Sequence, residues 1–438
     1  MSYSTIKANT TSKLTLFLIF ISPSLAQSLI FEGISIGDLT LLFAVILIIT
    51  QVNLLDFFIW PRWAIFSLVL LLWIIVSAYF SSADPILFSF IEFSKSFLKF
   101  IFYFFSALMV AIFFRKIDHN LVGKILLTVL FIHSLIAFYI GLNQILLTQI
   151  GISLPYTFFW YGQGGFGQFG EDLVRWNLGG LEVVKLRGVF GEPSLYGVQQ
   201  AMGVAVLLFK FNKFFMINLK KIIFILITCI LTISFSTIIT LLLIALISVM
   251  NLHKLNLHLF NRKILYISLS VLLLIPIASP SFISNIFNEL IIKRASQIIG
   301  TGYDQDRSAT MRLLGSYDTA KFIVNKSPIF GSSLGNEEVF FEKSGGQLTY
   351  FTGVNESITI GTTIHNIPLY YLATLGYVGF SIFIIMLYFV MKGSGLYLGL
   401  VFVLSLATQG GALTAAFWVF YVLFSNKFFS VKNEIKDR

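Results

Sequence analysis

Charged residues and cysteine are both scarce in this chain of 438 residues. Only 11% of the residues are charged, whereas soluble domains average about a quarter. Cys229 is the only cysteine, which excludes an internal disulfide and any site with several thiolate ligands. Apolar residues are abundant instead: 57% of the chain is hydrophobic, 48 residues are phenylalanine and the mean hydropathy is +0.88. This composition predicts a polytopic membrane protein rather than a soluble domain.

Apolar runs recur along the whole chain. About twelve of them approach the usual span of roughly 17–25 residues. They lie near 14–31, 36–55, 63–80, 86–114, 121–147, 193–209, 222–235, 237–250, 264–283, 368–391, 395–408 and 411–425. The stretches 222–250 and 395–425 are interrupted, at Ser234 to Thr237 and at Gln409 to Gly411, and we interpret each as a tight pair of short helices. The sequence therefore predicts an all-α, polytopic membrane helix bundle with about twelve transmembrane segments.

The basic residues between the runs predict the orientation of the bundle. Clusters of Lys and Arg in short loops mark the cytoplasmic side of a membrane protein. With both interrupted stretches interpreted as pairs, all clusters fall on one side: Arg62, Arg115, Lys116, Lys124, Lys210, Lys213, Lys220, Lys221, Lys254, Arg262, Lys263, Lys392, Lys427, Lys432, Lys436 and Arg438. Residues 1–438 then form one membrane domain with both termini in the cytoplasm. Ser24-Leu25-Ala26 also fits a signal-peptide cleavage site, but we favour a retained first span because apolar residues resume at Leu29.

Two polar segments, 148–192 and 284–364, are too long to be simple turns, and both are predicted on the outer side. The second is expected to contain short helices, one of them capped by Asp306 or Ser308 and ending near Asn325, before Pro328. The net charge of +10 does not indicate a nucleic-acid partner, because the basic residues are dispersed over short loops.

His365 lies where the second outer loop meets the apolar run 368–391. Thr362 or Thr363 is predicted to cap the helix, with Pro368 in its first turn. His365 and Asn366 are then at a helix start, where the dipole favours anions and keeps imidazole neutral. A neutral histidine beside an anion site suits a general base for group transfer. The alternative is an interfacial histidine that only anchors the helix end.

A second helix is predicted to enter the membrane from the same side after Arg187. Glu192 is placed at its cap and Pro193 in its first turn. Other basic residues of the two outer loops are Arg175, Lys185, Lys293, Arg294, Arg307 and Arg312. Guanidinium groups bind phosphate bidentately and neutralise a leaving diphosphate without a metal. We therefore predict a diphosphate site between the two helix starts, against the alternative of solvated loop charges.

No cluster of residues favours a metal site. Asp304 and Asp306 have a suitable spacing, but loop acids of this kind are more often helix caps. Glu92 and Lys95, at helical spacing in the run 86–114, are expected to pair with each other.

In these features the chain resembles the bacterial O-antigen polymerase and ligase superfamily of polytopic glycosyltransferases. The resemblance covers roughly residues 187–390. It rests on Arg187 to Ser194, on Ser234-Phe235-Ser236, on Arg312 followed by Pro328 to Gly331 and Gly335, and on His365-Asn366 followed by Leu369, Leu372, Gly376 and Gly379. The family often has arginine after the second serine of the Ser-Phe-Ser element, where this chain has Thr237, so no diphosphate-binding role is assigned to that position.

The resemblance implies a metal-independent transfer, without a cofactor, at the periplasmic face of the bacterial inner membrane. Arg187, Arg312, Arg294 and Arg307 are the expected ligands of an undecaprenyl diphosphate, and Arg312 is also expected to stabilise its developing charge. His365 is the first candidate for the catalytic base and Glu192 the second, with Asn366 orienting the sugar or the histidine. Expected partners are an undecaprenyl-diphosphate-linked oligosaccharide, membrane lipid and a chain-length regulator protein.

The preferred activity is extension of a lipid-linked glycan by a polymerase. Glu192-Pro193-Ser194 is more similar to polymerases, since ligases more often have Asn-Pro-Asn there. Three other functions remain open on the sequence. A ligase that transfers the glycan to lipid A-core has nearly the same chemistry. A transporter with broken helices is less favoured because the polar clusters gather at one face rather than at the midplane. A structural scaffold does not explain two charged helix starts.

Overall fold

The computed structural model describes residues 6, 9–26, 29–31, 34–52, 60–151, 175–178, 181–184, 186, 193–232, 234–250, 315–346, 349–352, 356–359, 364, 366–406 and 413–425. Most of these residues are helical. In chain order the helices are α1 Thr10–Ile21, α2 Ile36–Ile49, α3 Arg62–Ser81, α4 Phe90–Lys116, α5 His119–Ile150, α6 Pro193–Lys210, α7 Asn212–Ile217, α8 Leu219–Ile230, α9 Phe235–Met250, α10 Ser316–Lys326, α11 Glu337–Lys343, α12 Ile367–Ser394, α13 Leu396–Leu406 and α14 Ala415–Ser425. The helical prediction is confirmed for this part of the chain.

Three antiparallel hairpins accompany the helices, and the all-α prediction did not include them. They pair β1 Leu29–Phe31 with β2 Ile34–Ser35, β3 Arg175–Leu178 with β4 Leu181–Val184, and β5 Thr349–Thr352 with β6 Glu356–Thr359. The predicted span 14–31 is wrong at its end, because α1 stops at Ile21, a 3-10 turn follows at Ser22–Leu25, and Leu29 to Phe31 form a strand. Short apolar runs fit a strand as well as a helix, so hydropathy alone does not separate them.

Within the described residues, four helices are long and apolar enough to cross a membrane: Arg62–Ser81, Phe90–Lys116, His119–Asn143 and Ile367–Ser394. They correspond to the predicted runs 63–80, 86–114, 121–147 and 368–391. Shorter apolar helices include α2 and α14. The run 264–283 lies outside the described residues, and the total of twelve spans stays a prediction.

The interruption predicted inside the 222–250 stretch is confirmed. α8 ends at Ile230 and α9 begins at Phe235, and the two helices contact each other. α13 and α14 flank the second predicted interruption, whose residues Gln409 to Gly411 lie outside the described residues.

Polar side chains fix where several helices begin. Asn9 and Ser35 cap α1 and α2, each in a reciprocal capping box with the residue three positions on. That residue in α2 is Asp38, which also accepts a hydrogen bond from the Tyr103 hydroxyl of α4. The start of α2 is therefore tied to the middle of α4.

The helices α6, α12 and α14 end together at one end of the bundle. The ammonium of Lys210, the last residue of α6, donates to the carbonyls of Leu423 (2.7 Å) and Phe424 (3.0 Å) in the last turn of α14. Gly393, in the last turn of α12, touches the backbone of Ser425. Because α6 and α12 both end against the last turn of α14, we infer that both begin at the opposite end of the bundle. That opposite end contains the candidate site.

Candidate functional site

α12 is broken at Gly376, close to its start. Gly376 has φ 64° and ψ −170°, a conformation that essentially only glycine adopts. The break leaves backbone groups of α12 without partners inside the helix. Another part of the chain bonds them: Ser332 N–H donates to Ala373 O (2.9 Å) and Tyr377 N–H donates to Pro328 O (2.8 Å).

The partner is residues 327–336, which we call the docking segment. Its Gly331 has φ +70°, and a Cβ there would lie 2.5 Å from the carbonyl oxygen of Ala373. Phe330 is sandwiched by stacking on Trp73 and Phe80 of α3, with ring centroids 5.6 Å and 4.3 Å away. The Ser77 hydroxyl donates to Phe330 O (2.7 Å). The segment is therefore wedged between α3 and the broken part of α12.

The far end of the docking segment contacts the start of α4. Gly335 has φ +77°, and a Cβ there would lie 2.7 Å from Glu92 O. The next residue, Asn336, is fully buried, and its Oδ1 accepts from Ser89 N–H at the cap of α4 (2.7 Å). The two glycine-bearing pieces of the resemblance, Pro328 to Gly335 and the region of Gly376, thus lie against each other.

The start of α12 is capped by Asn366. Its Oδ1 accepts from Leu369 N–H (3.0 Å) and its carbonyl from Tyr370 N–H (2.8 Å), while Pro368 lies in the first turn as predicted. The N-cap predicted at Thr362 or Thr363 is wrong. The helix begins at Ile367, and the side chain that accepts from an N–H three positions on, as an N-cap does, is that of Asn366. Asn366 thus has a structural role in addition to the binding role predicted for it.

His365 lies outside the described residues, but both its neighbours in the chain are placed and buried. Ile364 is 4% exposed and packs with Ala320 and Ile323 of α10, Phe340 of α11 and Ala373 of α12. Asn366 is 8% exposed. The chain is therefore anchored on either side of the predicted catalytic residue.

Five other predicted site residues also lie outside the described residues: Glu192, Arg187, Arg294, Arg307 and Arg312. For Arg187 and Glu192, the adjacent residues Leu186 and Pro193 are described. Leu186, directly before Arg187, donates its N–H to Leu231 O (3.0 Å) after the end of α8 and packs on Gly141 of α5. α6 begins at Pro193, as predicted. The described residues on either side of 187–192 therefore lie at the α8–α9 break and at the start of α6.

The Ser-Phe-Ser element lies where the α8–α9 break ends, with Ser234 before α9 and Phe235 and Ser236 in its first turn. The hydroxyls of Ser234 and Ser236 are 3.0 Å apart, and Thr237 is fully buried against Gly197 of α6. Since α6 and α12 begin at the same end of the bundle, this break and the Asn366 cap share that end. α13 packs on α6, α9 and α12 and so connects the two regions.

The predicted pair of Glu92 and Lys95 is confirmed, with 3.1 Å between Lys95 Nζ and Glu92 Oε1. Both side chains are nearly half exposed, so the pair contributes little to stability. Among the described residues, no group of three or more His, Cys, Asp or Glu could hold a metal ion.

Sequence analysis missed Glu337, the first residue of α11. Burial, with smaller contributions from the nearby carboxyls of Glu338 and Glu92, raises the pKa of its carboxyl to about 7, although a hydrogen bond from its own backbone N–H lowers it. Its Oε2 is buried and accepts no hydrogen bond. The only available signal was its position directly after Gly335 and Asn336, at the end of the glycine-bearing stretch.

We expect the thermal stability of the purified protein to depend on pH through Glu337. Its pKa is about 7 in the fold and 4.5 for an ordinary glutamate side chain, so the unfolded chain loses the proton first as pH rises. Stability is fully present below about pH 4.5 and falls up to about pH 7, by at most about 3 kcal/mol. Melting curves at pH 5 and pH 8 measure this, and Glu337→Gln should reduce the difference.

The matched control is Glu338→Gln, because Glu338 is the next residue of α11 and is exposed. It should keep most of the wild-type difference between pH 5 and pH 8, because burial contributes more to the raised pKa of Glu337 than the Glu338 carboxyl does. Equal differences in the wild type and Glu337→Gln would contradict the assignment.

Residues 222–384 match the model of the family described as O-antigen ligase. This segment belongs to the O-antigen polymerase and ligase superfamily. The match confirms the resemblance and covers the α8–α9 break, the docking segment and α12 beyond its break at Gly376. It indicates an O-antigen ligase or polymerase type of function, and thus a glycosyltransferase-like activity in a membrane protein. The search of curated proteins returned no significant match.

Proposed function

We propose that the protein polymerises a surface polysaccharide by extending glycans on a polyprenyl diphosphate. The growing glycan moves from its undecaprenyl diphosphate to a sugar hydroxyl of a lipid-linked repeat unit. The bond between the anomeric carbon and the diphosphate oxygen breaks, and a glycosidic bond to the acceptor oxygen forms. The diphosphate leaves with the electron pair, and the acceptor hydroxyl loses its proton.

The observation that carries this proposal is the match of residues 222–384 to the O-antigen ligase family. The geometry supports it, because α6 and α12 begin at the same end of the bundle and the chain is anchored at Leu186 and Asn366 there. Arg187 and Arg312, with Arg294 and Arg307, would hold the diphosphate and neutralise its developing charge without a metal.

His365 is proposed as the base, with Glu192 as the second candidate. Just before the cap of α12, the helix dipole keeps an imidazole neutral and able to accept the acceptor's proton. Bringing two lipid-linked substrates together at one membrane face supplies a large part of the rate.

The proposed location is the bacterial inner membrane, with the site facing the periplasm. Supporting residues are Lys210 and Lys392, which lie near the shared ends of α6 and α12, opposite the site. Basic residues mark the cytoplasmic side. A chain-length regulator is a proposed partner.

A ligase that transfers the finished glycan to lipid A-core is the second candidate, favoured by the description of the matching family. Glu192-Pro193-Ser194, in place of the Asn-Pro-Asn more common in ligases, supports the polymerase.

Deleting the gene and separating the surface polysaccharide on a gel tests the function. If the protein is the polymerase, the deletion strain should show single repeat units and no ladder, and the plasmid-borne gene should restore the ladder. Bare core with polymer held on its lipid carrier would identify the ligase instead. An unchanged ladder would refute both functions.

A further inference from the structure

Asn336 and Glu337 lie between the starts of α4 and α12. Each has a buried polar atom without a hydrogen-bond partner: the donor Nδ2 of Asn336 and the acceptor Oε2 of Glu337. Buried polar atoms are nearly always bonded, so two unbonded atoms on consecutive residues need an explanation.

The Asn336 amide is held in a fixed orientation. Its Oδ1 is bonded to Ser89 N–H of α4, and the residue is fully buried. The close approach of Gly335 to α4 brings it there, since a Cβ at Gly335 would collide with Ser96 and Glu92. An amide fixed through its oxygen presents its nitrogen as a preorganised donor.

The surroundings of the Glu337 carboxyl contain no compensating positive charge among the described residues. Its electrostatic neighbours are Glu338 on the same helix, Glu92 on α4 and Tyr370 on α12. The one basic residue paired nearby, Lys95, is bonded to Glu92. A carboxyl in such surroundings resists ionisation and suits a neutral, hydroxyl-bearing partner better than a cation.

The position of the pair relates it to the site. Tyr370, which interacts with Glu337, lies one helical turn after the Asn366 cap and donates its N–H to Asn366 O. A group bound at Asn336 and Glu337 is thus close to the first turn of α12, which follows the Asn366 cap.

We propose that Asn336 and Glu337 form a subsite for the hydroxyl groups of the acceptor sugar. A hydroxyl donates and accepts at the same time, so it satisfies both an amide N–H and a carboxyl oxygen. Both atoms are enclosed, so binding requires a local opening at the first turn of α11, where Glu337 is partly exposed and Glu338 is exposed. This inference rests on the proposed function, since it assigns the acceptor to that site.

Glu337→Leu separates this role from a structural one. Removing a buried carboxyl whose Oε2 has no hydrogen-bond partner should raise the melting temperature of the purified protein at pH 8. The same variant should reduce the amount of polymer in the complemented deletion strain about tenfold, the effect of one lost hydrogen bond to substrate. Glu337→Gln, which keeps an acceptor oxygen, should retain more polymer than Glu337→Leu.

Glu338→Leu is the matched control, an exposed acid on the same helix, and should leave the ladder unchanged. Protein amounts in the membrane are compared by immunoblot. A wild-type ladder from Glu337→Leu would overturn the subsite, as would a lower melting temperature together with a lost ladder. If the deletion strain keeps a normal ladder, the proposed function fails and the inference with it. If the deletion removes the ladder and both the wild-type gene and the Glu337→Leu gene restore it, the proposed function stands and only the subsite is overturned.

Discussion

Replacing Gly376 by alanine is expected to prevent accumulation of folded protein in the membrane. The backbone at Gly376 (φ 64°, ψ −170°) costs a residue with a Cβ about 1–3 kcal/mol. The added Cβ would also lie 2.5 Å from the carbonyl carbon of Ile329 and 2.7 Å from Pro328 O. Because backbone atoms cannot move aside like a flexible side chain, the docking segment must detach. The variant should be degraded or should melt well below the wild type.

Gly395→Ala is the matched control for Gly376→Ala. Gly395 also has a positive φ (+85°), but nothing lies within 4 Å of a Cβ there. It therefore carries the backbone strain without the collision and should lower the melting temperature only modestly. Similar losses in the two variants would show that contact with the docking segment is unimportant. Immunoblots of membranes and thermal melting in detergent give both quantities.

His365→Ala and Arg312→Ala are expected to abolish the polysaccharide ladder while the protein remains in the membrane. A positioned general base typically contributes about 10²–10⁴-fold to a rate, so loss of His365 should leave only single repeat units. Arg312 should be as critical, because no metal is proposed to neutralise the diphosphate and a guanidinium binds it bidentately. Gels from the complemented deletion strain, with immunoblots of the same membranes, measure the effect.

The control for His365→Ala is His119→Ala. His119 begins α5 beside Lys116 and Ile117, and α5 contacts Phe211, directly after the end of α6. It therefore lies at the end of the bundle away from the proposed site and should keep a normal ladder. Normal ladders from both His365→Ala and Arg312→Ala would refute the site assignment even if the deletion confirms the function.

Long apolar runs bounded by charge predicted helices well. The run 86–114 corresponds to Phe90–Lys116 and the run 368–391 to Ile367–Ser394, because a bilayer-length helix needs only hydropathy to be recognised. The helical span predicted over 14–31 was wrong at its end because Leu29 to Phe31 form a strand. A short apolar run fits a strand as well as a helix, and tertiary contacts, which hydropathy does not report, decide between them.

The candidate site was less predictable, for two physical reasons. Gly376 lies in an apolar run that indicates an unbroken helix, and the break depends on backbone partners more than 40 residues away in the docking segment. Glu337 has the appearance of a loop acid, and only burial against α4 and α12 makes it unusual. The proposed roles of His365 and the arginines remain predictions from sequence.

The break in α12 also bears on the biogenesis of the protein. A helix entering lipid alone would leave Tyr377 N–H and Ala373 O without their partners in the docking segment, and such groups are unfavourable in hydrocarbon. The docking segment precedes α12 in the chain, so it leaves the ribosome first and, in the proposed topology, is exported before α12 is inserted. Insertion of α12 in its broken form is therefore coupled to binding of the docking segment. A defect in the loop should be detected by membrane quality control as a defect in helix insertion.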